Sequence, residues 1–342
     1  HNSQLPSVGQ LQMSWGGKLI WHLRSAIGAV APADIRAFLK KEAFDLIYAH
    51  NAVRMQPALY KVAAEIGLPV VQHLHDYALL CARTTMFDHD RNCTVPCTDC
   101  RILTARARAA SRTVGDVISV SRFVEDRYRA HGVFGNASMH VLHNFNLPDT
   151  SQGPRPAAIA RGDPGVFTFA YLSALMPEKG VEILLSTFRA LCEQPGQRPP
   201  IQLLVAGRGD AGYQRKLRAM VAGSAAEARV KWLGFVAPET VYDRADVVIV
   251  PSLWHEPQSR ILIEAAGYGV PVIAAMTGGT TEVVNQCQTG WLYGATDSQQ
   301  LLSLMQRAAQ FKPDGWQREK AALFPKLTAF QGSIGQSDYL PA

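Results

Sequence analysis

A repeated alternation constrains this chain more than any other feature. Apolar runs of strand length are separated by longer segments of helical periodicity. The runs are DLIYAHN (45–51), PVVQHLH (69–75), DVISVS (116–121) and MHVLHN (139–144), and then FTFAYLS (167–173), IQLLVAG (201–207), VKWLGF (230–235), DVVIVPS (246–252) and PVIAA (271–275). Strands apolar on both faces, alternating with amphipathic helices, build parallel sheets covered by helices on both sides. SQGPRPAAIARGDPG (151–165) is rich in Pro, Gly and small residues and reads as a linker. Two doubly wound α/β domains are therefore expected, over 1–150 and 166–312, with 313–342 as a helix or tail packing back on the first domain. A length of 342 residues accommodates both. No clear strand, glycine loop and helix precede DLIYAHN, so the first domain reads as incomplete at its start.

Composition narrows the classes. Hydrophobic residues make up 47% and charged residues 18%, which supports large cores and argues against a disordered chain. The formal net charge of +6 suits phosphate-bearing ligands. Its lysines and arginines are scattered without an aromatic–basic array, so nucleic acid is not an expected partner. No run of 18 apolar residues marks a membrane span, and no secretory leader is visible. A cytoplasmic protein is expected.

Residues 254–275, WHEPQSRILIEAAGYGVPVIAA, carry two glutamates, Glu256 and Glu264. In one continuous helix they would share a face. Pro257 suits a loop or a first helical turn, which places Glu256 on the loop after DVVIVPS and Glu264 on the following helix, expected over 258–268. Both would then face the carboxyl ends of the strands, where open parallel sheets bind ligands.

Three other patterns have plainer readings. Gly207, Gly209 and Gly212 spell G-x-G-x-x-G after a strand, but the next strand carries no acid to hold a ribose. A glycine turn where backbone approaches a nucleotide or a neighbouring loop accounts for them better than a dinucleotide site. Asp88 and Asp90 form Asp-x-Asp among turn residues and read as a solvated loop. Cys81, Cys93, Cys97 and Cys100 offer four thiolates for a structural zinc, with reduced structural cysteines as the main alternative and disulfides third. Arg101, Arg108 and Arg112 fall on one helical face, which reads either as a solvated basic face or as a peripheral contact with anionic lipid at the inner face of a membrane.

Taken together, LMPEKGVEILLSTF, LLVAGRGD, VKWLGFV, GWLY and above all 251–284, where the glutamate pair, GVPVIA and Gly-Gly-x-x-Glu follow in order, resemble family 4 of the retaining glycosyltransferases. HLHDYALLC, VISVSRFV, VLHN and the cysteine loop resemble the amino half. The resemblance covers about residues 40–310. It implies the GT-B fold, two facing Rossmann-like domains with the site in the cleft. It implies a nucleoside-diphosphate sugar (UDP- or GDP-linked) as donor, and a sugar or lipid-linked hydroxyl as acceptor, in polysaccharide or glycolipid biosynthesis. Glu256 is then expected on the donor sugar, Glu264 on the ribose, and Lys179 on the diphosphate charge that builds on the leaving group. Gly207 and Asp210 are expected near base and ribose, Phe235 and Val236 around the base, and Gly278, Gly279 and Glu282 in a turn into a helix whose N–H groups suit anions. His75 matches the histidine that meets the transferred sugar. His73 is expected to pack on the opposite face. The resemblance also implies front-face substitution without a catalytic cofactor, the leaving phosphate helping to deprotonate the acceptor.

This sequence departs from the family pattern at Ser173-Ala174, where members carry Gly-Arg. Arg260 is the expected substitute. The amino-terminal glycine-rich loop is not found either. Two rival readings follow: a sugar-nucleotide-binding protein without turnover, and a sugar-nucleotide epimerase of the same fold, which would convert donor with no acceptor present.

Overall fold

The computed structural model describes residues 31–53, 55–144, 165–195, 199–310, 316 and 322–324. The linker expected at 151–165 lies almost wholly outside the described residues, as do residues 1–30 and most of 313–342. The chain divides into two compact units, with the main boundary between His143 and Asn144.

In the first unit, helix α1 (Pro32–Lys41) precedes strand β1 (Ile47–His50), helix α2 (Gln56–Ile66) and strand β2 (Val70–Leu74). A short hairpin, β3 (Phe87–Asp88) and β4 (Arg91–Asn92), leads to helix α3 (Thr98–Ala110), strand β5 (Asp116–Ser119), helix α4 (Arg122–Ala130) and strand β6 (Ser138–Val141). The four longer strands form a parallel sheet in the order β1-β2-β5-β6. Local chemistry sets the helix ends. Pro57 occupies the first turn of α2, and Gly67 ends that helix in the left-handed region at φ 74°. Ser121 caps α4, its hydroxyl accepting from the Val124 N–H at 3.3 Å.

The second unit contains β7 (Phe167–Leu172), a 3-10 turn (Pro177–Lys179), α5 (Val181–Glu193), β8 (Ile201–Ala206), α6 (Ala211–Ala219) and β9 (Val230–Gly234). It continues with α7 (Pro238–Tyr242), β10 (Val247–Val250), α8 (Arg260–Gly267), β11 (Val272–Ala275), α9 (Thr280–Cys287), β12 (Gly290–Tyr293) and α10 (Ser298–Ala309). Its six strands are parallel in the order β12-β11-β10-β7-β8-β9. Strand periodicity makes two cores. Phe167, Phe169, Leu203, Val205, Val247, Ile249 and Ile273 join one apolar cluster, and their neighbours Ala170, Leu204, Val248, Val250, Val272 and Ala274 join another.

Trp316 and Phe324 correct the expectation for the tail. Trp316 is fully buried 5.5 Å from Phe167 and 6.1 Å from Trp291, and its indole N–H donates to the Asp246 carbonyl. Phe324 lies 4.9 Å from Trp291. Both aromatics belong to the apolar core of the second unit.

Strand order in the second unit reverses between β7 and β10. This is the topological switch point, and open α/β sheets bind ligands at the carboxyl ends of the strands there. Gly180 brings the loops after β7 and β10 together. Its φ is 69°, and a Cβ there would stand 1.8 Å from the Pro251 carbonyl oxygen. Gly223 has the same φ of 69° with open space around it. Gly223→Ala should therefore cost only the left-handed penalty, about 1–2 kcal/mol. Gly180→Ala should cost about 3 kcal/mol or more, because backbone must also move. Urea denaturation of the two variants checks this, and equal losses would contradict the close approach.

Candidate active site

Glu256 lies on the loop between β10 and α8, and Lys179 ends the turn after β7, so both come from the two strands that flank the switch point. As Pro257 indicated, Glu256 is outside the helix and Glu264 inside it, the helix starting at Arg260. Lys179 Nζ donates to Glu256 Oε1 at 2.8 Å. The Ser252 hydroxyl donates to the same oxygen, and the Lys179 ammonium lies 5.1 Å from the centre of the Trp254 ring.

Glu256 is buried at 5% exposure, yet it stays an anion. Burial by itself pushes its carboxyl up. The adjacent Lys179 charge, and hydrogen bonds from Lys179, Ser252 and Ser259, outweigh that and hold it below the usual carboxylate range. The backbone is clamped as well. The Gly279 N–H donates to the Glu256 carbonyl at 2.9 Å, and a Cβ on Gly278 would stand 2.1 Å from that oxygen. Gly278 and Gly279 therefore fit the turn for the close packing of two loops, and Glu282 follows in the first turn of α9, where a negative charge suits the helix dipole.

Glu264 is nearby in sequence but differently held. Its Oε2 accepts from the Tyr242 hydroxyl at 3.0 Å, and Oε1 lies 3.4 Å from the Arg260 guanidinium. Burial, with Glu264 beside it, pushes the Tyr242 hydroxyl far above the usual range, so it remains a donor. Arg260 is 70% exposed along its side chain, which leaves it room to turn toward an anion.

The G-x-G-x-x-G stretch has a packing explanation. A Cβ on Gly207 would stand 1.8 Å from the Ser173 carbonyl oxygen, and one on Gly209 2.0 Å from that of Leu175. Both glycines admit the loop after β7, Gly207 at the Ser173-Ala174 step where the sequence departs from the family pattern and Gly209 at Leu175. Asp210 caps α6, accepting from the N–H groups of Gly212 and Tyr213 at 2.8 and 3.0 Å. Phe235 is 74% exposed with the Arg208 guanidinium 5.3 Å from its ring centre, and Val236 is half-buried against the core.

In the first unit, His75 is half-buried just past β2. The expectation for His73 is overturned. The rings of His73 and His75 are 4.2 Å apart, and that of His50 lies 4.9 Å from His73. Residues two apart on an extended segment share a face, so the histidines cluster instead of parting. Burial first, then the neighbouring histidines, pushes His73 down to about 4 and lowers His75, so both are neutral at physiological pH.

The cysteines are only partly gathered. The Cys100 thiol donates to Cys81 Sγ at 3.8 Å, which pulls Cys81 down to about 6 although burial opposes it. Cys97 Sγ caps α3 by accepting from the Cys100 N–H at 3.5 Å. Asp88 pairs with Arg83 at 2.6 Å in the hairpin, which agrees with a loop role. Arg101, Arg108 and Arg112 line one groove of about 550 Å³ beside Ile102, itself 68% exposed.

Several site residues had no individual signal in the sequence: Ser252, Trp254 and Ser259 around Glu256, Tyr242 on Glu264, and Arg208 on Phe235. Trp254 and Ser259 sit in the segment 254–275 that carries the glutamates and Ser252 lies just before it, and that proximity was the available clue.

Removing the Lys179 charge should leave Glu256 buried and unpaired. Lys179→Met should lower stability by about 3 kcal/mol near neutral pH. In the parent, the depressed carboxyl contributes stability above its unfolded value near 4.5, lost as pH falls through the folded value. In the variant that carboxyl is raised, so its penalty fades on acidification. Urea denaturation across this range should show a deficit that shrinks toward acid; a constant deficit would contradict the pairing.

Comparison with known proteins bears directly on this arrangement. A family model described as Glycosyl transferase 4-like domain matches residues 7–144, and one described as Glycosyl transferases group 1 matches residues 160–314. Spore coat protein SA of Bacillus subtilis is 26% identical over 270 residues, covering 75% of this chain and 67% of that protein. D-inositol 3-phosphate glycosyltransferase of Corynebacterium efficiens is 30% identical over 133 residues, covering 37% of this chain. The chain spans about two thirds of the former relative's length and 31% of the latter's. Among solved structures, Anabaena Alr3699/HepE in complex with UDP and glucose aligns with a TM-score of 0.56 at 25% identity, over 89% of this chain and 79% of that one. TarM aligns with a TM-score of 0.65 at 12% identity, over 90% of this chain and 55% of its own, which speaks to the fold. With both family models matched in order along its two α/β units, the chain belongs to the GT-B glycosyltransferases of the group 1 and family 4-like type.

Proposed function

We propose that this chain transfers a sugar, with retention of anomeric configuration, from a UDP- or GDP-linked donor to a hydroxyl acceptor in polysaccharide or glycolipid synthesis. One observation carries the reading: a lysine and a buried carboxylate, paired at 2.8 Å, converge from the two strands of the switch point. Switch points of open α/β sheets are where nucleotides bind, and this pair offers a cation for diphosphate and a carboxylate for sugar hydroxyls. That Anabaena Alr3699/HepE was solved with UDP and glucose supports a nucleotide-sugar donor.

In this reading Lys179 neutralises charge that grows on the departing diphosphate, and Glu256 turns from its intramolecular partner to the donor sugar. Ser252 and Ser259 keep Glu256 ionised while it does so. Glu264 takes the ribose hydroxyls, and the exposed Phe235, with Arg208 on its ring, offers a platform for the base. Gly278, Gly279 and the start of α9 supply backbone donors. His75, neutral and half-buried, offers a ring nitrogen to the transferred sugar. Front-face departure of the phosphate, which then takes the acceptor proton, needs no protein nucleophile. The cysteine loop is read as holding reduced structural cysteines, with Cys81 and Cys100 paired as thiols, because among the described residues its four thiols do not gather into one ligand set. The groove of Arg101, Arg108 and Arg112 beside Ile102 suits a cytoplasmic enzyme working at the inner face of an anionic membrane; flotation with anionic vesicles tests that location.

Incubating the protein with donor and a panel of hydroxyl acceptors, and reading the anomeric signal of the product by NMR, tests the reaction. The expected product keeps the donor's configuration, and donor alone stays unconverted. Glu256→Gln and Lys179→Ala should each lower kcat/KM by about 100-fold or more. An inverted product, epimerised donor without acceptor, or full turnover in both variants would overturn the assignment.

A further inference from the structure

Three imidazoles meet at the carboxyl ends of β1 and β2. Parallel register sets His50 directly beside His73. His75 follows two residues later on the same side, its ring 4.2 Å from His73 and 5.1 Å from His50. One nitrogen from each of the three lies within 4.8 Å of the others, and among the described residues this is the one such ligand cluster. His50 Nδ1 and His75 Nε2 are 2.9 Å apart and can share a single proton.

His73 supplies the second observation. It is 93% buried, at 7% exposure, and its Nε2 has no hydrogen-bond partner. Leaving a buried polar nitrogen unpaired costs about 1–3 kcal/mol, and such atoms call for an explanation. Its other nitrogen, Nδ1, is 2.8 Å from the Tyr48 hydroxyl. With Nδ1–H donating to the Tyr48 oxygen, Nε2 presents a lone pair. A ligating histidine held by an outer partner on its far nitrogen is the usual arrangement at a metal.

We propose that His50, His73 and His75 form a binding site for a divalent transition metal of the zinc class, oriented by Tyr48. Three neutral imidazoles suit zinc, cobalt, nickel and copper, and not magnesium or calcium. Bonds of about 2.0–2.1 Å put tetrahedral ligand atoms about 3.4 Å apart. The trio therefore closes by at most about 1.5 Å, and the exposed His50 can move. A fourth position stays open for water or an exchangeable ligand. The three histidines all belong to the first unit and include none of the cysteines.

Binding a metal engages the ring of His75. If His75 meets the transferred sugar, as proposed above, the metal inhibits transfer. This consequence rests on that reading, whereas the binding itself does not.

The test uses the whole chain, stripped by chelator and titrated with Co2+ while its visible and near-ultraviolet spectrum is followed. Imidazole ligation gives d–d bands without the intense thiolate charge-transfer band that cysteine ligands produce. The expected result is a Co2+ population free of that band. It should weaken at least 10-fold in His50→Ala and in Tyr48→Phe, disappear in His73→Ala, and be displaced by Zn2+. His50→Ala, on an exposed strand end, guards against misfolding of the buried variant. Unchanged Co2+ affinity in folded His50→Ala and His73→Ala, or thiolate bands alone, would overturn the site. In the activity arm, Zn2+ should inhibit the parent and spare His50→Ala. A protein that binds Co2+ as described yet transfers no sugar when metal-free would count against the transferase reading and leave the site standing.

Discussion

A carboxylate at 5% exposure persists as an anion only where something replaces the water it has lost. At Glu256 that replacement is Lys179, seconded by Ser252 and Ser259. Folding of the second unit makes this pair unavoidable. The parallel order β12-β11-β10-β7-β8-β9 puts β7 next to β10, and the residues that follow each strand must leave in different directions. The loops first touch, through Gly180 against Pro251, and then offer one charged side chain each. An ion pair of this kind is not free stability, because desolvation offsets much of the Coulombic gain. In the proposed reading the pair has a use, since both groups are held in place and largely withdrawn from water before a donor arrives.

Glycines serve the same constraint. Gly207 and Gly209 let the end of β8 lie against the loop after β7, and Gly278 lets the turn before α9 lie on Glu256. Each admits backbone where any side chain would collide. The G-x-G-x-x-G spelling is thus a consequence of packing around the switch point, and Asp210, its one acid, is engaged in capping α6.

Much of this was legible in the sequence. Strand runs such as IQLLVAG and DVVIVPS are apolar on both faces, so their place in a covered parallel sheet follows directly. Pro257 placed Glu256 before the helix and Glu264 within it. Other features were not legible, for physical reasons. The tail aromatics Trp316 and Phe324 lie far along the chain from the β7 and β12 residues they pack against, and no local period reports so distant a contact. The histidine cluster depended on the pairing register of β1 with β2, which a single strand's pattern cannot supply; the separation of His73 from His75 by two residues should already have put them together. The four cysteines read in sequence as one ligand set, yet Cys81 pairs with Cys100 as thiols while Cys97 also caps α3, a division of labour that spacing does not report.

The central claim is that Lys179 and Glu256 divide one donor between them, diphosphate to the lysine and sugar to the glutamate. Calorimetric titration with the free nucleoside diphosphate and with its sugar conjugate tests this division most directly. The account predicts that Lys179→Met weakens both ligands, whereas Glu256→Gln weakens the conjugate and leaves the free diphosphate bound as before. Equal loss of both ligands in Glu256→Gln, or unaltered affinity for the conjugate in either variant, would contradict it.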